Sequence, residues 1–299
     1  MHAAVIVMGL GLPALVGALI VLLVTAQGGS PHGHDATVVA ARRHETRSSA
    51  AAAAASICAA LALGNPGAQW GPPGMLLGVA PFVAALWFSL ARAVGERRWP
   101  RPTGDVRRAP LVRRSVRDQG GWRLPLLLGT AGGLGAALVV FGLTAADDGR
   151  SVERTVRSAG AAGLELHGAG PYPGWELGVP ALVALLLAVG ATLVALRAVT
   201  RRPPIGLLTP EQDEAIRRTS AARVLAGAQA WVGLGATGYL AFAAGALLRV
   251  GWLAGGIACV ALAVVALIGS LIVAGMSAAP RRAAAGVAAL RTAPSGPTA

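Results

Sequence analysis

The sequence contains no lysine, since all 26 of its basic residues are arginine. A Walker A nucleotide-binding loop and a catalytic Schiff base both require a lysine amine, so the sequence excludes both. A seven-helix retinal protein holds its chromophore through the same kind of bond. The sequence excludes that class as well.

Charge and aromatic side chains are also scarce, at 13% and 4% of the residues, whereas 55% are hydrophobic. Soluble domains usually carry about 25% charged residues, so this deficit indicates a membrane protein. The net charge of +13 is high enough for a nucleic-acid-binding protein. However, the arginines flank long apolar runs, which is typical of membrane topology, so we expect no nucleic-acid partner.

The sequence has no HExxH, GxSxG or CxxC motif, so we expect no catalytic, cofactor or metal site. The two cysteines, Cys58 and Cys259, fall inside apolar runs and are interpreted as small buried residues. The tract Pro31–Asp35 (PHGHD) resembles a small metal-binding segment, but a plain cytoplasmic loop is the favoured interpretation. The histidines form no recognisable constellation; they are His2, His32, His34, His44 and His167.

The apolar runs predict an all-α, polytopic transmembrane bundle with about seven spans. A helix rises about 1.5 Å per residue, so roughly 20 residues cross the hydrocarbon core. The predicted spans are about 3–26, 49–64, 75–91, 124–146, 177–196, 223–248 and 252–276. They form one domain over 1–280, and we expect a disordered cytoplasmic tail over 281–299.

Two of these spans have alternatives. The span 49–64 is short and rich in alanine, so it is predicted to be the least stable, and the count falls to six if it does not insert. The span 3–26 could instead be a cleaved signal peptide. It lacks a basic n-region and exceeds the usual h-region of about 7–15 residues, so a membrane span is favoured.

The arginines predict the orientation. With seven spans, 22 of them fall on one side of the membrane and four on the other. Because arginine-rich short loops stay in the cytoplasm, we expect the N-terminus outside and the C-terminus inside. The largest external connection, 145–174, is predicted to be a surface loop, and one short helix within it is the alternative.

One cytoplasmic segment allows a local prediction. Thr209 is a suitable N-cap residue, and Pro210 is suitable for the first helical position. Gln212 then completes a capping box with Thr209. The pairs Asp213–Arg217 and Glu214–Arg218 have the favourable i,i+4 order. The sixth span should therefore begin as a water-exposed helix and continue into the membrane.

Polar residues inside the spans are the only candidates for a site: Gln229, Thr237 and Tyr239. They could contact a substrate, but hydrogen bonding to neighbouring helices is the favoured interpretation. The glycine pairs Gly129–Gly133 and Gly251–Gly255 have small-xxx-small spacing, typical of close helix packing within the chain or, alternatively, of a homodimer face.

No ionisable residue is predicted deep inside a span, which argues against proton-coupled transport. The arginines instead concentrate between the spans, most densely in the connection 97–123. We expect this connection to contact anionic lipid headgroups. A docking site for an acidic protein partner is the alternative.

Two segments are informative about relatives: the motif GPYPGW at 170–175 and the arginine-rich connection 97–123. In these segments the chain resembles uncharacterised multi-pass integral membrane proteins of high-GC actinobacteria. The resemblance implies a location in the plasma membrane.

The function expected from the sequence is that of a non-enzymatic accessory or interaction component of a membrane assembly. The alternative is a permease or transporter for a neutral or apolar solute. A membrane enzyme is a third class.

Overall fold

The computed structural model describes residues 36–64, 74–99, 115–157, 164–203 and 210–276. The helices are α1 (Ala36–Leu63), α2 (Met75–Arg97), α3 (Val116–Gly120), α4 (Arg123–Thr144), α5 (Trp175–Arg201), α6 (Pro210–Arg249) and α7 (Leu253–Met276). The strands are β1 (Val152–Arg157) and β2 (Leu164–Ala169). The predicted first span and the predicted disordered tail lie outside the described residues.

Six of the described helices are long and apolar enough to cross a membrane. They are α1, α2, α4, α5, α6 and α7, and each overlaps one of the predicted spans from the second to the seventh over most of that span. The all-α transmembrane bundle predicted from the sequence is therefore confirmed as the fold class.

Helix α1 is longer than predicted. It begins at Ala36 rather than near 49, so residues 36–48, expected to be part of a cytoplasmic connection, are helical. No glycine or proline interrupts this segment, and alanine has the highest helix propensity. One narrow face of α1 is buried, and the buried face includes Ala41, Glu45 and Ser49. The helix packs with that face against α2.

Helix α6 lies at the centre of the bundle. It packs against α2, α4, α5 and α7, and also contacts α3 and α1. Every residue from Ser220 to Gly233 is buried. At about 1.5 Å per residue, its 40 residues reach roughly 60 Å, twice the thickness of a bilayer core.

The start of α6 follows the sequence prediction in part. Pro210 is its first residue, and the ion pairs Asp213–Arg217 and Glu214–Arg218 are confirmed at 2.8 and 3.1 Å. The expectation that this first part faces water is wrong for one side of it. Asp213 and Arg217 are buried where α6 meets the end of α5, and they contact Arg202 and Val199 there, whereas Arg218 is exposed.

Glycines of α6 accept phenyl rings from α2. A Cβ atom added at Gly235 would lie 2.5 Å from the ring of Phe82, and one at Gly227 would overlap the ring of Phe88. Both rings are fully buried. A larger residue at either position of α6 would push the two helices apart.

The two glycine pairs differ: Gly255 of α7 approaches Leu247 of α6, whose Cδ1 would lie 3.5 Å from an added Cβ atom, whereas the pair Gly129–Gly133 approaches no described residue. No described atom lies within 4 Å of a Cβ added at Gly129 or at Gly133. Gly251 lies in the turn between α6 and α7 with φ +80°, a conformation that favours glycine. The small-xxx-small spacing alone does not show which glycines face a neighbouring helix, because only one face of a helix packs against each neighbour.

The connection 145–174 contains a β-hairpin, so the predicted loop with one short helix is wrong. Strand β1 pairs antiparallel with β2, and Val152 lies opposite Ala169. Both of these residues are buried, while Glu153 and Arg154 are exposed. The β-branched residues of VERTVR, two valines and a threonine, are the strand signal that the expectation overlooked.

The motif GPYPGW connects the hairpin to α5. The Tyr172 hydroxyl lies 2.7 Å from Thr144 Oγ1, and its ring packs against Phe141. The indole of Trp175 lies on Gly142, where an added Cβ would be 2.5 Å from the ring. We call this side of the bundle, with the hairpin and the turn at Gly251, the hairpin end.

The opposite side brings together the beginnings of α1 and α6, the ends of α2 and α5, and helix α3. Gln119 of α3 donates to Glu214 of α6 at 2.8 Å. We call this side the basic end, because most of the described arginines lie there.

Candidate functional site

The three polar residues singled out from the sequence lie on different sides of α6. Gln229 Nε2 donates to Thr130 Oγ1 of α4 at 3.0 Å and to Ser270 Oγ of α7 at 3.2 Å. Thr237 Oγ1 contacts the backbone oxygens of Gly233 and, across the interface with α7, of Ala263.

Tyr239 faces a third direction. Its hydroxyl donates to the backbone oxygen of Leu177 in α5 at 3.3 Å, and its ring lies 6.0 Å from that of Phe82 in α2. The structure therefore does not bring Gln229, Thr237 and Tyr239 together. Each of them joins α6 to a neighbouring helix.

A different group of residues meets at the basic end. It contains four arginines and three carboxylates, contributed by α1, α2, the end of α5 and α6, and we call it the ionic cluster. Its members are Arg92, Arg202, Arg217, Arg223, Glu45, Glu96 and Asp213. Each of these residues is less than 9% exposed.

Arg92 ties α2 to α1. Its Nη2 lies 3.1 Å from Glu96 Oε1, one helical turn further along α2. Its Nη1 donates to Ser49 Oγ at 2.9 Å and to Ser48 Oγ at 3.3 Å, and the Glu45 carboxylate lies 3.9 Å from Nη2. The buried face of α1 is polar at this level because it receives this guanidinium.

Glu45 extends the cluster to α6. Its Oε1 accepts hydrogen bonds from Ser220 Oγ and Arg223 Nη1, both at 3.1 Å. The neighbouring His44 Nε2 lies 3.0 Å from the backbone oxygen of Gly95, so two successive residues of α1 contact other helices.

Arg202, just beyond α5, joins α5 to α2. Its Nη1 donates to Glu96 Oε2 at 3.2 Å, and its guanidinium carbon lies 3.8 Å from the centre of the Trp99 ring. A cation over an indole face is attracted to the ring electrons, more strongly when both are out of water. Burial lowers the pKa of Arg202, and Glu96 opposes this effect while Arg217 adds to it.

Arg217 joins α6 to the end of α5. Its Nε donates to Asp213 Oδ2 at 2.8 Å, and its Nη1 donates to the backbone oxygen of Val199 at 2.9 Å. The last carbonyl groups of a helix lack partners within the helix, so Arg217 supplies one of the donors that the end of α5 needs.

The ionic cluster can hold helices together and attract an anion. Arginine keeps its proton at any physiological pH, so the four guanidinium groups do not relay protons. Within the described residues of the cluster, four guanidinium groups lie among three carboxylates. Buried charge is costly unless it is paired, so a cluster of this composition can accept a further negatively charged contact.

Sequence reasoning missed this cluster. It assigned Arg92, Arg202, Arg217 and Arg223 to surface connections that set topology, and it assigned Glu45 to a loop. The i,i+4 spacing identified Asp213–Arg217, and the same spacing at Arg92–Glu96 was a usable signal. Nothing in the sequence placed the two pairs side by side, because they lie more than 100 residues apart.

Metal binding finds no support in the described part of the chain. No group of three or more His, Cys, Asp or Glu residues there could hold a metal ion. The PHGHD tract and the middle of the connection 97–123 lie outside the described residues.

The hairpin end carries a smaller set of polar contacts. Arg150 Nε lies 2.6 Å from Glu176 Oε2, and Arg154 Nη1 donates to the backbone oxygen of Gly251 at 2.5 Å. Asp148 Oδ1 accepts from the backbone N–H groups of Arg150 and Ser151, and the first of these bonds is the main reason that the Asp148 pKa is lowered. These contacts anchor the hairpin to α5 and to the end of α6.

Comparison of the chain with protein-family models, with curated proteins and with solved structures finds no match of any of the three kinds.

Proposed function

We propose that this chain is a non-enzymatic integral membrane protein that serves as an accessory or interaction component of a larger membrane assembly. The observation that supports this proposal is the way α6 fills the centre of the bundle. Its residues from Ser220 to Gly233 are buried on all sides, and phenyl rings of α2 seat against its glycines.

The polar side chains of α6 support the same proposal. A permease for a neutral solute needs polar groups that face one shared passage. Gln229 and Thr237 instead each bond to α7, and Tyr239 bonds to α5, so each of them is engaged by another helix. Their positions favour helix packing over solute binding.

The orientation is part of the proposal. We place the chain in the plasma membrane, with the basic end in the cytoplasm. The N-terminus and the hairpin are then outside, as the distribution of arginine predicts. Exposed arginines at the basic end then face anionic headgroups or a partner. They include Arg43, Arg47, Arg97, Arg98, Arg117, Arg197, Arg201 and Arg218.

Cysteine labelling tests the orientation. In a chain with Cys58→Ala and Cys259→Ala, a cysteine is introduced at Leu166 in the hairpin or at Arg218 at the basic end. Both side chains are well exposed. A membrane-impermeant maleimide should label intact cells at position 166, and at position 218 only after lysis. The reverse pattern would overturn the orientation.

Purification in native-membrane nanodiscs tests the function. We expect a partner at fixed stoichiometry that is lost when Arg197, Arg201 and Arg218 are changed to Gln. A matched variant, Glu153→Gln with Glu165→Gln in the hairpin, should retain it. Proteoliposomes that hold the purified chain alone should not accelerate solute entry. Solute flux by the chain alone, with no partner in nanodiscs, would favour the permease.

A further inference from the structure

The ionic cluster contains guanidinium N–H groups that have no acceptor. Among the described atoms, the buried Arg92 Nε, Arg202 Nε, Arg202 Nη2 and Arg217 Nη2 make no hydrogen bond. A buried donor without an acceptor loses its hydration and gains nothing in return. Four such atoms in one cluster indicate that an acceptor is missing there.

The unsatisfied atoms of Arg202 have a specific geometry. Nε and Nη2 lie on the same edge of the guanidinium plane, the edge that grips carboxylate or phosphate with two parallel hydrogen bonds. Nη1 is occupied by Glu96, and one face of the plane rests on Trp99. The Arg202 plane is therefore fixed from two directions, while its two-donor edge has no described acceptor.

Asp213 does not satisfy that edge. Its Oδ1 lies 4.0 Å from Arg202 Nη2, beyond hydrogen-bond distance, while its Oδ2 is occupied by Arg217. A separation above about 3.5 Å leaves room for a bridging atom. Arg202 and Arg217 both contact Asp213, and each retains a buried donor without an acceptor among the described atoms.

We propose that the ionic cluster binds a phosphate-type oxyanion on the Nε–Nη2 edge of Arg202, with Arg217 Nη2 as a further donor. Such an anion would accept hydrogen bonds from guanidinium groups that have no acceptor among the described atoms. It could be inorganic phosphate or the phosphate of a lipid headgroup. The same chemistry recognises both. The cluster lies at one end of the membrane-length helices, where both dissolved phosphate and lipid headgroups are found.

The test uses the purified full-length chain. In detergent, inorganic phosphate should raise its Tm with a saturable dependence on concentration, beyond the effect of chloride at equal ionic strength. Equilibrium dialysis with radiolabelled phosphate should give one site per chain. In nanodiscs, phosphatidic acid added to phosphatidylcholine should raise the Tm if the phosphate comes from a lipid.

Arg202→Lys is the informative variant because it keeps the charge and removes the two-donor edge. It should abolish the response to phosphate and to phosphatidic acid. Arg249→Gln, an exposed arginine at the hairpin end and outside the ionic cluster, should leave both responses unchanged. A response in detergent identifies free phosphate, and one confined to phosphatidic acid identifies a lipid.

Two results would overturn the proposal. One is an unchanged response in Arg202→Lys, which would place the anion elsewhere. The other is wild-type protein that neither binds labelled phosphate nor gains stability in either arm. The second outcome is measured on the wild-type protein, so it does not depend on whether a variant folds. It would indicate that a water molecule bridges Arg202 and Asp213.

Discussion

The two ends of the bundle both use ion pairs, but in opposite surroundings. At the hairpin end, Arg150 lies 2.6 Å from Glu176, with side-chain exposures of 50% and 25%. At the basic end, Arg92 lies 3.1 Å from Glu96, with exposures of 0% and 1%. The shorter pair is partly exposed, and the longer pair is buried.

The comparison shows that burial, and not distance, decides what such a contact does. An exposed pair contributes about 0–1 kcal/mol because water and salt screen it. Breaking a buried pair costs far more, because the remaining charge loses its partner and cannot be hydrated. The basic end is therefore held by charge, whereas the hairpin end is held by packing at Tyr172 and Trp175.

The largest expected effect is at Arg92. Arg92→Ala would leave Glu96 without its closest cation and remove the donor to Ser49. We expect a loss of about 3–5 kcal/mol in the free energy of unfolding, because the side chains that remain are buried. An SDS unfolding titration of the purified chain in mixed micelles measures this loss.

Arg97→Ala is the matched control on the same helix. Arg97 is exposed, so its removal should change the free energy of unfolding by no more than about 0.5 kcal/mol. Equal losses for Arg92→Ala and Arg97→Ala would contradict the difference between buried and exposed arginines, and with it the structural role of the ionic cluster.

The same contrast explains what the sequence could predict. Long apolar runs determine which segments can cross a membrane, so the spans from the second to the seventh each coincide with a described helix. The local pairs Asp213–Arg217 and Glu214–Arg218 were predictable too, because a helix places residues i and i+4 together.

Long-range contacts were not predictable in this way. The contact between Arg202 and Glu96 depends on which ends of α5 and α2 meet, and no local period contains that information. The hairpin was missed for another reason. Its strands have only six residues each, and the Gly- and Pro-rich sequence around them is equally typical of a loop.

The second prediction concerns packing at the hairpin end. Gly142→Ala would place a methyl group 2.5 Å from the Trp175 ring, so we expect a loss of about 1–3 kcal/mol in the free energy of unfolding. Gly132→Ala, on the same helix, meets no described atom within 4 Å and should be neutral or slightly stabilising. The same SDS titration compares them. If Gly142→Ala leaves the free energy of unfolding unchanged, packing is not the main source of stability at the hairpin end.

The third prediction concerns the short pair at the hairpin end. Arg150→Ala should reduce the free energy of unfolding by at most about 1 kcal/mol, despite the 2.6 Å distance to Glu176. Glu176→Gln should have a similarly small effect, and high salt should reduce both. A loss for Arg150→Ala as large as that for Arg92→Ala would show that distance matters more than burial.

The smallest expected effect is a dependence on pH at Asp148. Its pKa lies below the ordinary value of 3.8, chiefly because the backbone N–H of Arg150 donates to the ionised carboxylate. A carboxylate with a lowered folded pKa stabilises the folded state above its unfolded pKa, and this contribution disappears as the pH falls through the folded value. The protection of amide hydrogens at the base of the hairpin, measured relative to the intrinsic exchange rate at each pH, should therefore decrease below a pH of about 3.8 in the wild type. Asp148→Asn should remove most of that pH dependence, while Asp147→Asn, at the adjacent exposed position, should retain it. If the two variants behave alike, the turn at Asp148 does not depend on its charge.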